Sequence, residues 1–276
     1  MSRVAIVTPA ADVLARNNVR VAGDPRARPL VFLHGFACDQ RMWRHITPHF
    51  EDDHRVVLLD HVGAGGSDLT AYDIERHGRL EGYADDLVEV AEALDLQDVA
   101  LVGHSVGASV ALLAHLAEPA RFTTLALVGP SARYVDDPSG GYVGGLSEEE
   151  LEGLLDLVDR NFAGWSTMMA PAIMGNPERP ELGEELEASF CSTDPDIASR
   201  WARVTFGADI RPALPRVRAP TLVLQCSEDP IVPDATGRWM AERIPGCSFV
   251  QLAATGHCPH LSAPGETAAE LRRFLR

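Results

Sequence analysis

A doubly wound, mostly parallel α/β sheet interrupted by an all-helical insertion is the architecture this sequence predicts, and three observations predict it. Short apolar runs of four to six residues alternate with helical patterns over the first half of the chain. That alternation stops after Pro130 and resumes at Thr221. Between those points the apolar residues recur three and four positions apart, which is the spacing of one helix face.

The strand candidates are Val19–Ala22, Leu30–Leu33, Val56–Leu59, Val99–Val102 and Leu125–Val128, then Thr221–Cys226 and Ser248–Leu252. Most are apolar without alternation, the pattern of strands buried on both faces of a parallel sheet. Helices are expected over Arg41–Phe50, over Tyr83–Leu94, over Ala108–Ala114 and over Ala263–Phe274. The insertion contributes four groups at helical spacing: Leu151, Leu154, Leu155, Val158 and Phe162; Trp165, Met168 and Met169; Leu182, Leu186 and Phe190; Ile197, Trp201, Val204 and Thr205. Residues 1–135 and 216–276 are therefore read as two parts of one core, and residues 136–215 as a helical cap above the C-terminal edge of the sheet. The glycine-rich stretch Asp137–Gly145 leads into the cap and is expected to be flexible. A length of 276 residues suits one large domain with such an insertion.

Composition removes several function classes. The 24 basic and 40 acidic residues give a formal charge of −16, which argues against nucleic acid and anionic membranes as partners. Every basic residue is Arg and none is Lys. That excludes Schiff-base and pyridoxal phosphate chemistry, the P-loop lysine and a Ser–Lys dyad. Cys38, Cys191, Cys226, Cys247 and Cys258 are odd in number, far apart and form no Cys-x-x-Cys, so they read as reduced thiols. Residues 1–23 lack the apolar core of a signal peptide, and no run approaches the ~18 apolar residues of a membrane span. The expected location is the cytoplasm.

Gly103-His104-Ser105-Val106-Gly107 follows the strand candidate at Val99–Val102 and precedes an apolar helical run. Strand, tight turn and helix are the context in which Gly-x-Ser-x-Gly forms a nucleophile elbow, with the serine strained and its Oγ exposed. A serine hydroxyl needs a base, and the base needs an acid to fix its tautomer. In α/β-hydrolases these follow in the order Ser, Asp or Glu, His. Asp229 comes after the strand candidate at Thr221–Cys226 and His257 after the one at Ser248–Leu252, both at the edge where parallel sheets build sites. Glu228 and Asp234 are near rivals for the acid. The oxyanion hole is assigned to the N–H groups of Val106, next to the nucleophile, and of Phe36, in the loop after the strand at Leu30–Leu33.

Other patterns carry less. His257 and His260 have a ligand-like spacing, but Pro259 stands between them and no carboxylate or Cys cluster accompanies them, so no metal and no cofactor are expected. Cys258 reads as a packing thiol. Gly63-Ala64-Gly65-Gly66-Ser67-Asp68 reads as a tight loop supporting the site rather than a phosphate cradle. Phe36, Trp165, Met169, Phe190, Phe206 and Val232 are expected to line the substrate pocket, with Met168 as a further apolar cap residue. Asp at position 105 would be needed for a dehalogenase, so that chemistry is excluded.

Together, His34-Gly35-Phe36-Ala37-Cys38-Asp39-Gln40, Asp60-His61-Val62-Gly63, Gly66-Ser67-Asp68, Gly103–Ala108, Cys191-Ser192-Thr193-Asp194-Pro195 and Gly256-His257-Cys258-Pro259-His260 resemble the RsbQ-like α/β-hydrolases. These are bacterial stress-signalling proteins related to the plant karrikin and strigolactone receptors. The resemblance runs over nearly the whole chain, cap included. It implies a Ser105–Asp229–His257 triad, oxyanion donors on Phe36 and Val106, and a four-helix cap over an apolar pocket. It also implies a partner phosphatase carrying a sensor domain. The residues themselves point to hydrolysis of a small, neutral, largely apolar ester or lactone through an acyl-enzyme. The alternative is a small-molecule receptor that signals through a protein partner, with slow or incidental hydrolysis. A cofactor-free peroxidase or a C–C hydrolase would use the same triad. Residues 136–215 hold 16 acidic residues and five Arg, so anions are expected to be disfavoured at the cap.

Overall fold

The apolar runs become the strands of one seven-stranded sheet in the computed structural model, which describes residues 9–276. They are β1 (Arg20–Gly23), β2 (Arg28–Leu33), β3 (His54–Leu58), β4 (Val99–His104), β5 (Phe122–Val128), β6 (Thr221–Glu228) and β7 (Ser248–Thr255). Their order is β1-β3-β2-β4-β5-β6-β7, with β1 antiparallel to β3 and every other pair parallel. Leu30–Leu33 and Val99–Val102 are fully buried, as expected for strands covered on both faces. The chain passes from β2 outward to β3 and returns to β4 on the other side of β2. Loops leaving β2 and β4 therefore diverge at their C-terminal ends and open the crevice in which such sheets bind ligands.

Among the described residues ten α-helices accompany the sheet: α1 (Pro9–Arg16), α2 (Ile74–His77), α3 (Leu80–Ala93), α4 (Val106–Ala117), α5 (Glu148–Met174), α6 (Pro180–Cys191), α7 (Pro195–Phe206), α8 (Asp234–Arg243), α9 (Pro259–Ser262) and α10 (Pro264–Leu275). The helix expected over Arg41–Phe50 is instead two 3-10 turns, Gln40–Trp43 and Thr47–His49. Pro48 lacks the N–H that would bond the Arg44 carbonyl, so an α-helix cannot run through this stretch. The first turn is capped by Asp39, whose Oδ1 accepts from Arg41 N–H at 2.7 Å.

The segment between β5 and β6 is built from α5, α6 and α7. Ser147 and Glu150 form a reciprocal capping box at the start of α5, and Asn161 breaks its helical geometry midway (φ −159°, ψ 73°). The Asn161 side chain then accepts from Gly164 N–H at 2.9 Å, recapping the second half. Those halves are the two apolar groups of the sequence, one ending at Phe162 and the other starting at Trp165. Apolar faces of these helices are buried at Leu151, Val158, Phe162, Trp165, Leu186, Phe190, Trp201 and Phe206. Acidic side chains such as Glu148, Glu149, Glu152, Asp156 and Glu184 face outward.

The glycine-rich approach to this segment is tied down, against the expectation from its composition. Asp136 Oδ1 accepts from the N–H groups of Gly144 and Gly145 at 2.8 and 2.9 Å, and Asp137 pairs with Arg211 at 2.8 Å. Two local carboxylates organise what Gly content alone would leave loose. All five cysteines are free thiols. Among the described residues no helix is long and apolar enough to cross a membrane.

Candidate active site

Ser105 stands in the turn from β4 to α4 with φ 54° and ψ −121°, a conformation costly for any residue with a Cβ. Its surroundings hold it there. Ser105 N–H donates to the Val128 carbonyl at 2.9 Å. A Cβ on Gly103 would lie 2.4 Å from the Gly107 carbonyl oxygen, and one on Gly107 would lie 2.6 Å from that of His34. Glycine at both positions is thus what lets α4 close onto β4 and β2.

Asp229 and His257 leave the adjacent strands β6 and β7. His257 Nδ1–H donates to Asp229 Oδ2 at 2.8 Å, and both side chains are nearly or fully buried. Asp229 is itself fixed: Oδ2 accepts from Gln225 Nε2 at 3.2 Å, and Oδ1 accepts from the N–H groups of Ile231 and Val232 at 2.9 and 3.0 Å. The rival acids are placed elsewhere, Glu228 exposed at the strand end and Asp234 paired with Arg238 at 2.6 Å. With its proton on Nδ1, His257 presents Nε2 as a bare lone pair, buried and without a protein partner among the described residues. Ser105 Oγ meets the Tyr134 hydroxyl at 3.4 Å and makes no hydrogen bond to His257 Nε2; contacts between nucleophile and base are often long until substrate is bound.

The N–H groups of Phe36 and Val106 have no protein partner among the described residues. Val106 is the first residue of α4, so the helix dipole adds to its pull on negative charge. The loop bearing Phe36 is braced by His34, whose Nδ1–H donates to the Gly35 carbonyl at 2.9 Å while Nε2 accepts from His61 N–H at 2.9 Å. Burial pushes the His34 pKa down, keeping the ring neutral and able to act as donor and acceptor at once. The Gly63–Asp68 stretch is the supporting loop expected. Buried Asp60 gathers the N–H groups of Gln40 and Gly66, each at 2.8 Å, and Ser67 Oγ accepts from Gly63 N–H at 3.0 Å.

Ser105 and His257 open into a tight apolar cavity of about 40 Å³, room for a few waters. Phe36, Trp165, Met169, Phe190 and Phe206 line it, as do Leu154, Ile173, Leu186, Ile231, Cys38 and Cys258. Val232 does not: its side chain is fully buried in the core and its backbone is held between Asp229 and Gln225. The neighbouring Ile231 takes that place, because the turn after Asp229 directs alternate side chains to opposite sides. Met168 points outward at 57% exposure.

Sequence reasoning missed Tyr134 and His104. Tyr134 is buried, its hydroxyl pKa pushed up to about 12 by desolvation, so it stays a protonated donor beside Ser105. No motif marks it; only the return of the chain after β5 brings it there. His104 Nε2–H donates to the His257 carbonyl at 2.8 Å. His257 and His260 do not share a ligand-like arrangement; the compact donor group is His104, Cys258 and His260.

A doubly wound sheet, a strained serine on its elbow and a buried Asp–His pair at its C-terminal edge define an α/β-hydrolase architecture. The comparisons agree: residues 30–270 match the alpha/beta hydrolase family, and the chain belongs to it. It is 36% identical over 265 residues to the strigolactone esterase D14 of Arabidopsis thaliana, covering 96% of this chain and 98% of that protein. It is 34% identical over 260 residues to the karrikin insensitive 2 receptor CA of Petunia hybrida, covering 94% and 95%. A hydrolase of known structure from Oleispira antarctica superposes with a TM-score of 0.93 at 37% identity, covering 98% of both chains.

Proposed function

We propose that this protein is a serine hydrolase of small, neutral, largely apolar esters or lactones, in an RsbQ-like setting. The observation that carries the reading is the Asp229–His257 pair, bonded at 2.8 Å with a bare Nε2 in the same cavity as the strained Ser105. His257 Nε2 takes the Ser105 proton as Oγ attacks the carbonyl, and Asp229 holds the imidazole in the tautomer that makes this possible and stabilises the imidazolium. The N–H groups of Phe36 and Val106 receive the developing alkoxide, where losing one donor typically costs about 100- to 1,000-fold in rate. The leaving alcohol collects the proton from His257, and water repeats the sequence to free the acid. Apolar walls favour an apolar acyl or lactone group, and the acidic exterior of α5–α7 favours a neutral one. Treatment with a fluorophosphonate is expected to add one label, on Ser105, and to abolish turnover of a short aryl ester. Labelling elsewhere, or turnover by the labelled protein, would sink the assignment.

A second reading, a ligand receptor with slow hydrolysis, draws support from the receptor among the relatives and from the narrowness of the cavity, which binding must widen by moving α5–α7. The sensor-domain phosphatase suggested by the resemblance is the partner to seek. Turnover that saturates near one product per protein, together with copurification of such a phosphatase, supports the receptor; sustained multiple turnover supports the enzyme.

A further inference from the structure

Behind His257 lies a second group of donors that acyl transfer does not use. His104 ends β4, Cys258 immediately precedes α9 and His260 lies within it. One ring nitrogen of each histidine and Cys258 Sγ all lie within 4.8 Å of one another, and the three residues are 2%, 1% and 0% exposed. Packing alone does not account for the pattern of hydrogen bonds. Among the described residues His260 has no partner on either ring nitrogen, and His104 has none on Nδ1. Buried polar atoms are normally satisfied, so three bare nitrogens in one place ask for an explanation. His104 also donates Nε2–H to a backbone carbonyl, which fixes its tautomer and orients it as metal-ligating imidazoles are oriented.

Burial pushes the His104 and His260 pKa values down, which favours the neutral rings that ligate metal. Burial also pushes the Cys258 thiol well up, so its proton leaves only as the ion binds. His104 and Cys258 also line the catalytic cavity, so an ion has a way in. Two imidazoles and one thiol, with no carboxylate among them, suit Zn²⁺ or Co²⁺ and not Mg²⁺ or Ca²⁺. Tetrahedral zinc with bonds of roughly 2.0–2.3 Å holds its donors about 3.3–3.8 Å apart, so the group must close by about an ångström.

We propose that His104, Cys258 and His260 bind a borderline divalent cation, Zn²⁺ or Co²⁺, with a cavity water as fourth ligand, and that the bound ion switches the hydrolase off. The Cys258 thiol releases its proton to water and coordinates as the thiolate, with no change of oxidation state. The ion then sits beside His257, whose ring lies 4.8 Å, centroid to centroid, from that of His104. The ion and its water take up room in a cavity of about 40 Å³ that Ser105, His257, His104 and Cys258 all line, so they exclude the ester from the reacting pair. Binding stands on the donor geometry alone; only the inhibition rests on the hydrolase reading.

Cobalt added to metal-free protein tests the site directly. One equivalent is expected to give a thiolate-to-cobalt charge-transfer absorption in the near ultraviolet, displaced by Zn²⁺ and absent in Cys258→Ser. Its absence from the wild type overturns the site without any variant. A band that persists in Cys258→Ser belongs to another thiol, exposed Cys191 among them, and overturns it equally. His260→Gln, verified as folded by circular dichroism, is expected to raise the Zn²⁺ Kd by roughly 100-fold or more; an unchanged Kd refutes its role as a ligand. Saturating Zn²⁺ is expected to lower ester turnover by roughly tenfold or more, reversibly with a chelator. Unchanged turnover with the band present keeps the site and overturns the inhibition. Absence of turnover in metal-free protein counts against the hydrolase reading and leaves the cobalt spectrum as it was.

Discussion

Ser105, Asp229 and His257 rise from a sheet edge whose carboxylate and supporting loops are held by directed hydrogen bonds, whereas α5, α6 and α7 bring to the same cavity only apolar side chains. On the sheet side Asp229 accepts four hydrogen bonds, His34 braces the loop of Phe36, and the Ser105 backbone is pinned to β5. On the helical side Leu154, Trp165, Met169, Ile173, Leu186, Phe190 and Phe206 meet the cavity through contacts that have no fixed direction. The two regions differ in charge as well: residues 136–215 hold 16 of the 40 acidic residues but only five of the 24 basic ones, and none of the ten histidines. Under the proposed hydrolysis, chemistry that tolerates little displacement falls on the rigid element, and choice of ligand falls to the element that can shift or be rebuilt without disturbing the reacting atoms.

The comparison breaks most readily at the serine. Ser105→Ala is expected to keep the fold, since the elbow is held by Gly103 and Gly107, and to lower ester turnover by roughly 10⁴-fold or more. Purified variant retaining a few per cent of the wild-type rate would show that the sheet edge does not carry the reaction. Gly107→Val comes next. It drives a side chain into the His34 and Leu33 carbonyls and is expected to destabilise the fold by about 3 kcal/mol, measured by urea denaturation. A comparable loss from Gly153→Val, which lies in α5 with nothing within 4 Å of its Cβ position, would erase the distinction in rigidity.

Acid should attack the sheet side first. Burial lowers the pKa of His34, His61, His104 and His260, the last to about 3. The unfolded chain takes up these protons near pH 6.5 while the folded one does not, so stability is full above that pH and falls as pH drops toward the folded values. His260 alone is expected to cost about 2 kcal/mol at pH 5, from 1.36 kcal/mol per unit below 6.5. A Tm that stays level between pH 7 and 5 would contradict the neutral burial of these rings.

Smaller effects belong to the helices. Met169→Ala is expected to move the ratio of kcat/KM between a longer and a shorter acyl ester by about tenfold toward the longer, within the range of a methylene-sized change in an apolar pocket. A loss as large as that of Ser105→Ala would mean that the cap takes part in the chemistry itself. Least of all, a neutral ester should be preferred severalfold over an isosteric carboxylate-bearing one, with the gap closing as salt rises. Equal rates at low salt would show that the acidic exterior does not govern access.

Much of this was legible because the signals were local. A strand, two glycines and a serine within nine residues specify an elbow by sterics alone, and uninterrupted apolar runs specify buried strands. The helix expected over Arg41–Phe50 failed on an equally local rule, the missing N–H of Pro48. Order and placement pointed to Asp229, but setting aside Glu228 and Asp234, which lie within five residues of it, needed the reach to His257 that only the fold supplies. Val232 and Ile231 exchanged roles for a similar reason: which of two adjacent side chains faces a cavity depends on one turn's direction.

By itself, then, the sequence determined the sheet, the helical insertion, the elbow and the order of the reactive residues, since each follows from periodicity, sterics or chemistry within a short window. Only the tertiary structure decided that Tyr134 meets Ser105, that His104 holds the His257 backbone, and that His104, Cys258 and His260 converge. Those contacts join β4 to segments about 30 and 150 residues away, and no spacing rule links positions brought together by the closing of a sheet.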